Sequence, residues 1–357
     1  MLSFKTFTPV PKVIFSRGAI SFLAALLDEK RSEKGYVVFV IDHFFKANPL
    51  NDKVSICNTD LCLFLDTTDE PKTATIDLYA DFIKKAYKKL PSAVVGIGGG
   101  STLDTAKALA IMLTNPGQTH EYQGWDLVKI KPVYKIGVPT LSGTGSEVSR
   151  TTVLTGPEKK QGINSEYSLF DHVVLDPDLL ATVPTQQRFY TGMDCYIHCV
   201  ESLAGTFLNE FSGAFASKAL ELCEGIFLHK CDDADLMVAS YMGGSAIVYS
   251  EVGVCHALSY GISYAFGVHH GLANCVVFNH LEEYYPQYLP YFKEMLIKNQ
   301  VTLPERPVGI VNDTTLNKMI DITLLMEKPL HNALGPQWKS IFTRDIIGNL
   351  YKRILGL

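Results

Sequence analysis

The sequence predicts an α/β amino-terminal domain on a Rossmann-like parallel sheet, residues 1–180, followed by an all-α domain over 181–357. Three observations predict it. Up to about Pro177, short β-branched runs alternate with amphipathic helical stretches, the pattern of a βαβ sheet covered by helices. After about Pro184, long stretches at helical period take over and strand-like runs become scarce. Between them, Pro177 and Pro184 would each interrupt a continuing helix, which places the join there. A chain of 357 residues is also past the size at which single cores tend to divide.

In chain order, Tyr36 to Ile41 reads as a buried strand. Lys72 to Leu90 reads as a helix, with Ile76, Ala80, Ile83 and Tyr87 close enough to helical spacing to bury one face. Ala93 to Ile97 is a second strand; after Gly98-Gly99-Gly100-Ser101, Thr102 to Ala110 is a good helix. Lys135 to Val138 and His172 to Leu175 are further strands. In the second half a helix is expected to open at Met193, with others over Gly213 to Leu228 and Asp235 to Ser250. Residues 301–357 carry helical patterns without recognisable chemistry and are expected to complete the helical domain.

Composition narrows the function classes. A chain 47% hydrophobic and 19% charged is globular, not disordered. Its net charge of −5 and the absence of any long Lys/Arg run leave no footprint for nucleic acid. No apolar stretch reaches the ~20 residues of a membrane span, and MLSFKTFTPV lacks a signal-peptide pattern, so a cytoplasmic location is expected. The eight cysteines, at 57, 62, 195, 199, 223, 231, 255 and 275, have neither zinc-ribbon spacing nor disulfide-scaffold density; reduced thiols are expected.

A strand, a glycine turn and a helix N-terminus, as at Gly98 to Ser101, form an anion site because unpaired N–H groups and the helix dipole face the incoming charge. A glycine triplet alone also serves a tight turn, so it does not decide. Asp42, at the end of the earlier strand, adds a carboxylate able to accept from both adenosine ribose hydroxyls and to repel a 2′-phosphate, favouring NAD over NADP. Its ordinary reading is a turn or N-cap aspartate. It precedes the glycines instead of following them by about 20 residues, so this is not the usual dinucleotide fingerprint. Pro139 to Glu147, dense in hydroxyls and glycine, reads as a further binding loop.

Asp194 and His198 are four apart on a helix and can share one cation. Cys195 and Cys199 are rotated about 100° from that pair and are expected to pack against neighbouring helices. A continuous helix would separate His256 and His270 by about 21 Å, so both reach one ion only if the chain turns between them; Gly261 and Gly267 offer the breaks, and His269-His270-Gly271 a helix start. One carboxylate with three imidazoles suits Fe²⁺ or Zn²⁺ and suits Ca²⁺ or Mg²⁺ poorly. Each histidine singly also reads as a core or surface imidazole.

GGGSTLDTAK, PTLSGTGSE, MDCYIHCVE and the His256 to His-Gly segment, in order over about residues 9 to 280, resemble the iron-containing (group III) alcohol dehydrogenases, a family related in fold to dehydroquinate synthase. The resemblance implies NAD(P) between the two domains, pyrophosphate on Gly98, Gly99, Gly100 and Ser101, and nucleotide contacts by Asp42, Thr140, Thr144, Ser149 and Lys160. It implies a divalent metal on Asp194, His198, His256 and His270, Lewis-acid activation of an alcohol, hydride transfer to the nicotinamide, and a homodimer. YQGWDL, SGTGSEVSRT, FYTGMDCYIHCVESLAGTFLNEFS and VGVCHALSYG look like the 3-deoxy-manno-octulosonate 8-oxidase branch, which oxidises the terminal alcohol of that sugar acid to an aldehyde. A pyridoxal-phosphate aminotransferase would then act on the product, toward the 8-amino sugar of lipopolysaccharide. The name implies oxygen as acceptor; Asp42 and the glycine loop imply NAD.

Two positions depart from the family pattern. Tyr260 stands where relatives often have a second histidine that helps move the alcohol proton; a tyrosine, with an unperturbed pKa near about 10, is a weaker base. Glu70 stands where many relatives have asparagine near the adenine end. Arg150 and Arg188 are the candidates for anchoring a substrate carboxylate. The alternatives are the same chemistry on another small alcohol or diol, a lyase of the dehydroquinate synthase type, and a binding protein on an inactive enzyme fold.

Overall fold

The computed structural model describes residues 8–31, 35–48, 50, 53–68, 70–158, 160–229, 232–304 and 311–357. Cys231 and the first seven residues of the amino-terminal stretch lie outside the described residues. The chain divides into two compact units, one of Thr8–Leu141 with Ser146–Thr182, the other of Val183–Leu357 with Ser142–Gly145.

Among the described residues the first unit has nine strands: β1 Val13–Phe15, β2 Val37–Asp42, β3 Leu61–Leu65, β4 Ala93–Gly98, β5 Gly124–Trp125, β6 Lys135–Pro139, β7 Thr151–Thr155, β8 Lys160–Asn164 and β9 His172–Leu175. Six form a parallel sheet in the order β1-β9-β6-β4-β2-β3, and β5, β8 and β7 form a small second sheet in which β7 and β8 are antiparallel. The parallel sheet is apolar on both faces, which is why its central strands read as unbroken hydrophobic runs. Val38, Val40 and Val94 face a core with Ala106 and Leu109 of the Gly100–Thr114 helix; Val37, Phe39, Ile41, Val95 and Ile97 face the opposite core with Leu23 and Leu27. At about 1.5–3 kcal/mol for each such side chain removed from water, the two layers fix the register.

The second unit is helical. Its principal helices run Thr185–Ala204, Glu210–His229, Asp233–Tyr249, Val254–Phe266, His270–Phe278 and Leu289–Lys298, followed by four more from Asp313 to Leu355. The last of these packs inward: Tyr351 donates to Leu258 O at 2.7 Å, in the same core as Phe189, Met193, Tyr196 and Ile197. Among the described residues no helix is long and apolar enough to cross a membrane.

Two local expectations are corrected. The helix expected to open at Met193 starts eight residues earlier, at Thr185 after Pro184, and carries Gly192 in its interior. Gly192 is a packing position, since a Cβ there would stand 2.2 Å from the Phe227 ring. Gly261 is no break either: it lies inside Val254–Phe266, where a Cβ would meet the Tyr351 hydroxyl at 2.2 Å. The turn between His256 and His270 falls at Gly267 alone, in the left-handed conformation at φ 66°.

Candidate active site

In the α/β unit, β2, β4 and β6 are adjacent and parallel, with Ile41 opposite Ile97 and Gly98 opposite Pro139. Asp42, Gly98 and Thr140 therefore stand together at the carboxyl ends of neighbouring strands, where open α/β sheets bind ligands. Thr140 N–H donates to Gly98 O at 3.0 Å. The Gly100–Thr114 helix begins at once, with Gly99 as its N-cap and no side chain capping its first turn, so Gly100, Ser101 and Thr102 present N–H groups that the helix itself does not use.

The other predicted nucleotide residues have structural partners. Asp42 Oδ1 accepts from Phe44 N at 3.0 Å and Oδ2 from Thr67 Oγ1 at 3.4 Å, which orients the carboxylate from both sides. Ser149 Oγ accepts from Thr151 N at 2.9 Å. Lys160, buried, lies 3.0 Å from Glu70 Oε1, so the position that departs from the family pattern holds the lysine. Arg150 pairs with Asp126 and lies over the Trp125 ring.

Thr144 belongs to the segment 142–145 of the helical unit. That segment is held by Gly143, whose N–H donates to Ser240 Oγ at 2.8 Å; at φ 151° a Cβ on it would stand 1.7 Å from Thr191 O. Arg188 pairs with Asp233 at 2.8 Å, so each of the two candidate arginine anchors already holds a carboxylate.

Deeper in the helical unit, Asp194 Oδ1 is ringed by imidazole nitrogens: His256 Nε2 at 3.3 Å, His270 Nε2 at 3.5 Å and His198 Nε2 at 3.6 Å. Ligands on bonds of about 2.1 Å in tetrahedral array stand about 3.4 Å apart, so the distances from Asp194 Oδ1 to His256 and His270 fit one shared cation. Asp194, His256 and His270 form a group whose ligand atoms all lie within 4.8 Å of one another. His198 stands outside that group, against Asp194, with its ring stacked on His256 at 4.7 Å. Asp194 Oδ2 is buried with no hydrogen-bond partner among the described residues, an atom a cation would satisfy.

Electrostatics favour the same reading. Burial alone would raise the pKa of Asp194; His198, His270 and His256 together outweigh it and hold the carboxyl well below the usual range. Burial lowers His198. It opposes protonation of His256 too, but the Glu201 and Asp194 carboxylates prevail and push that pKa up to about 9.

Two residues of this centre were not singled out by sequence reasoning. Glu201 is wholly buried; its Oε2 accepts from His256 Nδ1 at 2.5 Å, and its Oε1 accepts from Cys255 N at 2.6 Å and Tyr285 OH at 3.0 Å. That fixes His256 as the tautomer with Nε2 directed at Asp194. Asn274 donates to Asp194 Oδ1 at 2.6 Å and lies 3.2 Å from Nε2 of both His256 and His270. A signal existed for each. Asp194, His198 and Glu201, at i, i+4 and i+7, draw a polar stripe along an apolar helix, and Asn274 follows His270 by four. Tyr260, one turn beyond His256, sets its ring edge-on to His270 at 5.4 Å. Cys195 turns away, its thiol donating to Ala239 O at 3.1 Å.

A parallel α/β unit with a glycine turn at the ends of its strands, and a helical unit that gathers a carboxylate and imidazoles about one point, define a metal-dependent dehydrogenase. Residues 10–177 match the family of iron-containing alcohol dehydrogenases, and residues 188–326 match the C-terminal part of the same family. The chain belongs to the iron-containing alcohol dehydrogenase family, enzymes that act on CH–OH groups. It is 28% identical over 78% of its length to the 1-propanol dehydrogenase of Citrobacter freundii, covering 72% of that protein. It is also 28% identical to the sulfoacetaldehyde reductase of Bilophila wadsworthia, over 74% of this chain and 70% of the relative. In fold it matches the sulfoacetaldehyde reductase of Bifidobacterium kashiwanohense in complex with NAD⁺, with a TM-score of 0.80 and 19% identity over 99% of each chain.

Proposed function

We propose that this alcohol dehydrogenase uses NAD and a divalent cation, Fe²⁺ or Zn²⁺, to oxidise the terminal primary alcohol of a sugar acid, 3-deoxy-manno-octulosonate, to the aldehyde. The observation that carries the metal chemistry is the ring of three imidazole nitrogens, 3.3 to 3.6 Å from Oδ1 of the buried Asp194. Asp194, His198, His256 and His270 would hold the cation, which supplies Lewis acidity toward the alcohol oxygen, while NAD supplies the hydride acceptor.

The protein's residues do the rest. Asp194, anionic, supplies the only negative charge of the ligand set, Glu201 holds the Nδ1 proton of His256 and so directs its Nε2 toward the cation, and Asn274 orients the Asp194 carboxylate. Tyr260, whose ring stands edge-on to His270, is assigned the relay of the alcohol proton. Asp42, Gly98 to Ser101, Thr140, Thr144, Ser149 and Lys160 are assigned to the dinucleotide, with the Asp42 carboxylate favouring NAD over NADP. The sugar acid rests on the motif resemblance, and a relative named for sulfoacetaldehyde, an anionic aldehyde, is consistent with a charged substrate. The relative named for 1-propanol favours the alternative of a small uncharged alcohol or diol.

The deciding assay strips the metal, restores Zn²⁺ or Fe²⁺, and follows NADH with 3-deoxy-manno-octulosonate, with and without a pyridoxal-phosphate aminotransferase and amino donor. Metal-dependent NADH formation, lost in His270→Ala with the fold intact, is expected. NADH from 1-propanol or a diol and none from the sugar acid leaves the dehydrogenase and replaces the substrate.

A further inference from the structure

Lysine is among the side chains least suited to full burial, yet Lys107 has no exposed surface, and nothing in the chemistry above uses it. It stands on the Gly100–Thr114 helix, about two turns from the glycine turn. Its Nζ donates to three carbonyls of one short stretch: Ser146 O at 2.9 Å, Ser149 O at 3.3 Å and Thr151 O at 2.7 Å. Asp104, one turn earlier, lies 3.2 Å from the ammonium and grips the same stretch. Its Oδ1 accepts from Ser146 Oγ at 2.6 Å and its Oδ2 from Val153 N at 3.0 Å.

Burial lowers the pKa of Lys107, with Asp104 opposing, so the charge is held there at a cost. Apolar side chains of the same volume would fill the space without that cost. What they could not do is fix five polar groups of residues 146–153 in one geometry.

We propose that Asp104 and Lys107 are a positioning pair for the dinucleotide, locking residues 146–153 to the helix that opens at the glycine turn. The inference rests on the NAD reading above. The locked stretch carries Ser149, whose Oγ accepts from Thr151 N and whose O–H can still donate to a ligand. Referring that hydroxyl and the first-turn N–H groups of residues 100–102 to one rigid helix removes the ordering cost that a loose loop would add to binding. Neither Asp104 nor Lys107 needs to touch the cofactor.

The test is NAD⁺ titration by calorimetry into metal-loaded protein without alcohol, for the unaltered chain, Lys107→Met and Ser146→Ala. The dissociation constant is expected to rise about tenfold or more in Lys107→Met and about threefold in Ser146→Ala, the scale of losing charge-assisted and neutral hydrogen bonds. Zn²⁺ affinity and kcat at saturating NAD should stay within about twofold, so that the loss appears in KM for NAD. A merely structural pair would lower Tm and leave the NAD constant of the folded protein unchanged, and that result overturns the proposal. If Lys107→Met does not fold, Ser146→Ala decides by the same criterion. Failure of the unaltered protein to bind NAD⁺ sinks the cofactor reading and this inference with it, whereas equal binding by all three sinks only the positioning pair.

Discussion

At the scale of single residues, the metal centre is a set of opposed charges whose proton count can be followed. Without a cation, His256 carries a proton because the nearby carboxylates, Glu201 first, raise its pKa to about 9 against the effect of burial. Asp194, held low by the imidazoles in spite of burial, has none to lose. Cation and proton therefore compete for Nε2 of His256. Below about pH 9 the proton wins ground, so affinity should rise with pH and level off above that value. Zn²⁺ uptake at pH 7 is expected to release about one proton, read as a dependence of calorimetric enthalpy on the ionisation heat of the buffer. Glu201→Gln, which keeps the shape and removes the charge, should weaken Zn²⁺ binding about ten- to a hundredfold and reduce that release. Uptake without proton release in the unaltered protein would show that His256 does not ligate through the protonated nitrogen.

At the scale of elements, legibility followed burial. β2, β4, β6 and β9 were readable because both faces of each are covered and, apart from Asp42, Lys135 and His172 at strand ends, every residue is apolar or small. The β7–β8 hairpin was not, because TTVLT and KQGIN mix hydroxyls and amides with few apolar residues, and β1 is a three-residue edge strand. Asp194 and His198 lie side by side as helical spacing predicts, although the helix starts earlier than expected, since an i, i+4 relation does not depend on where the helix begins. Glycines were the hardest to interpret, as turn, packing contact and strained backbone look alike in a sequence. Gly143 and Gly267 separate the cases. Both have positive φ, but nothing lies within 4 Å of a Cβ at Gly267, whereas one at Gly143 would meet the Thr191 carbonyl. Gly267→Ala is expected to cost about 1–2 kcal/mol, the strain of the left-handed conformation alone. Gly143→Ala should cost more than about 3 kcal/mol, because the obstacle is helix backbone. Urea denaturation of the two variants compares them directly, and equal losses would mean that the 142–145 segment can move away from Thr191.

At the scale of the whole chain, every metal-ligand candidate falls in the unit of Val183–Leu357, while Asp42, the glycine turn, Thr140, Ser149 and Lys160 fall in the unit of Thr8–Leu141 and Ser146–Thr182. A ligand that binds only the folded state stabilises what it touches, by about 4 kcal/mol at a thousand times its dissociation constant. Local opening reports that stabilisation segment by segment. Hydrogen exchange after metal removal is therefore expected to speed up in Thr185–Ala204, Val254–Phe266 and His270–Phe278, the three helices that carry Asp194, His198, Glu201, His256, His270 and Asn274. The strands β2 and β4 should exchange at unchanged rates, since their amides are buried in a sheet that takes no ligand to the metal. NAD⁺ added to the metal-loaded protein should in turn slow the amides at the start of the Gly100–Thr114 helix. The pattern ties each ligand to its own residues without relying on turnover, which a wrong choice of alcohol would silence. Faster exchange in β2 and β4 on metal removal, with the helices unchanged, would remove the cation from Asp194 and its histidines and leave the buried carboxylate–imidazole ring without a ligand to explain it.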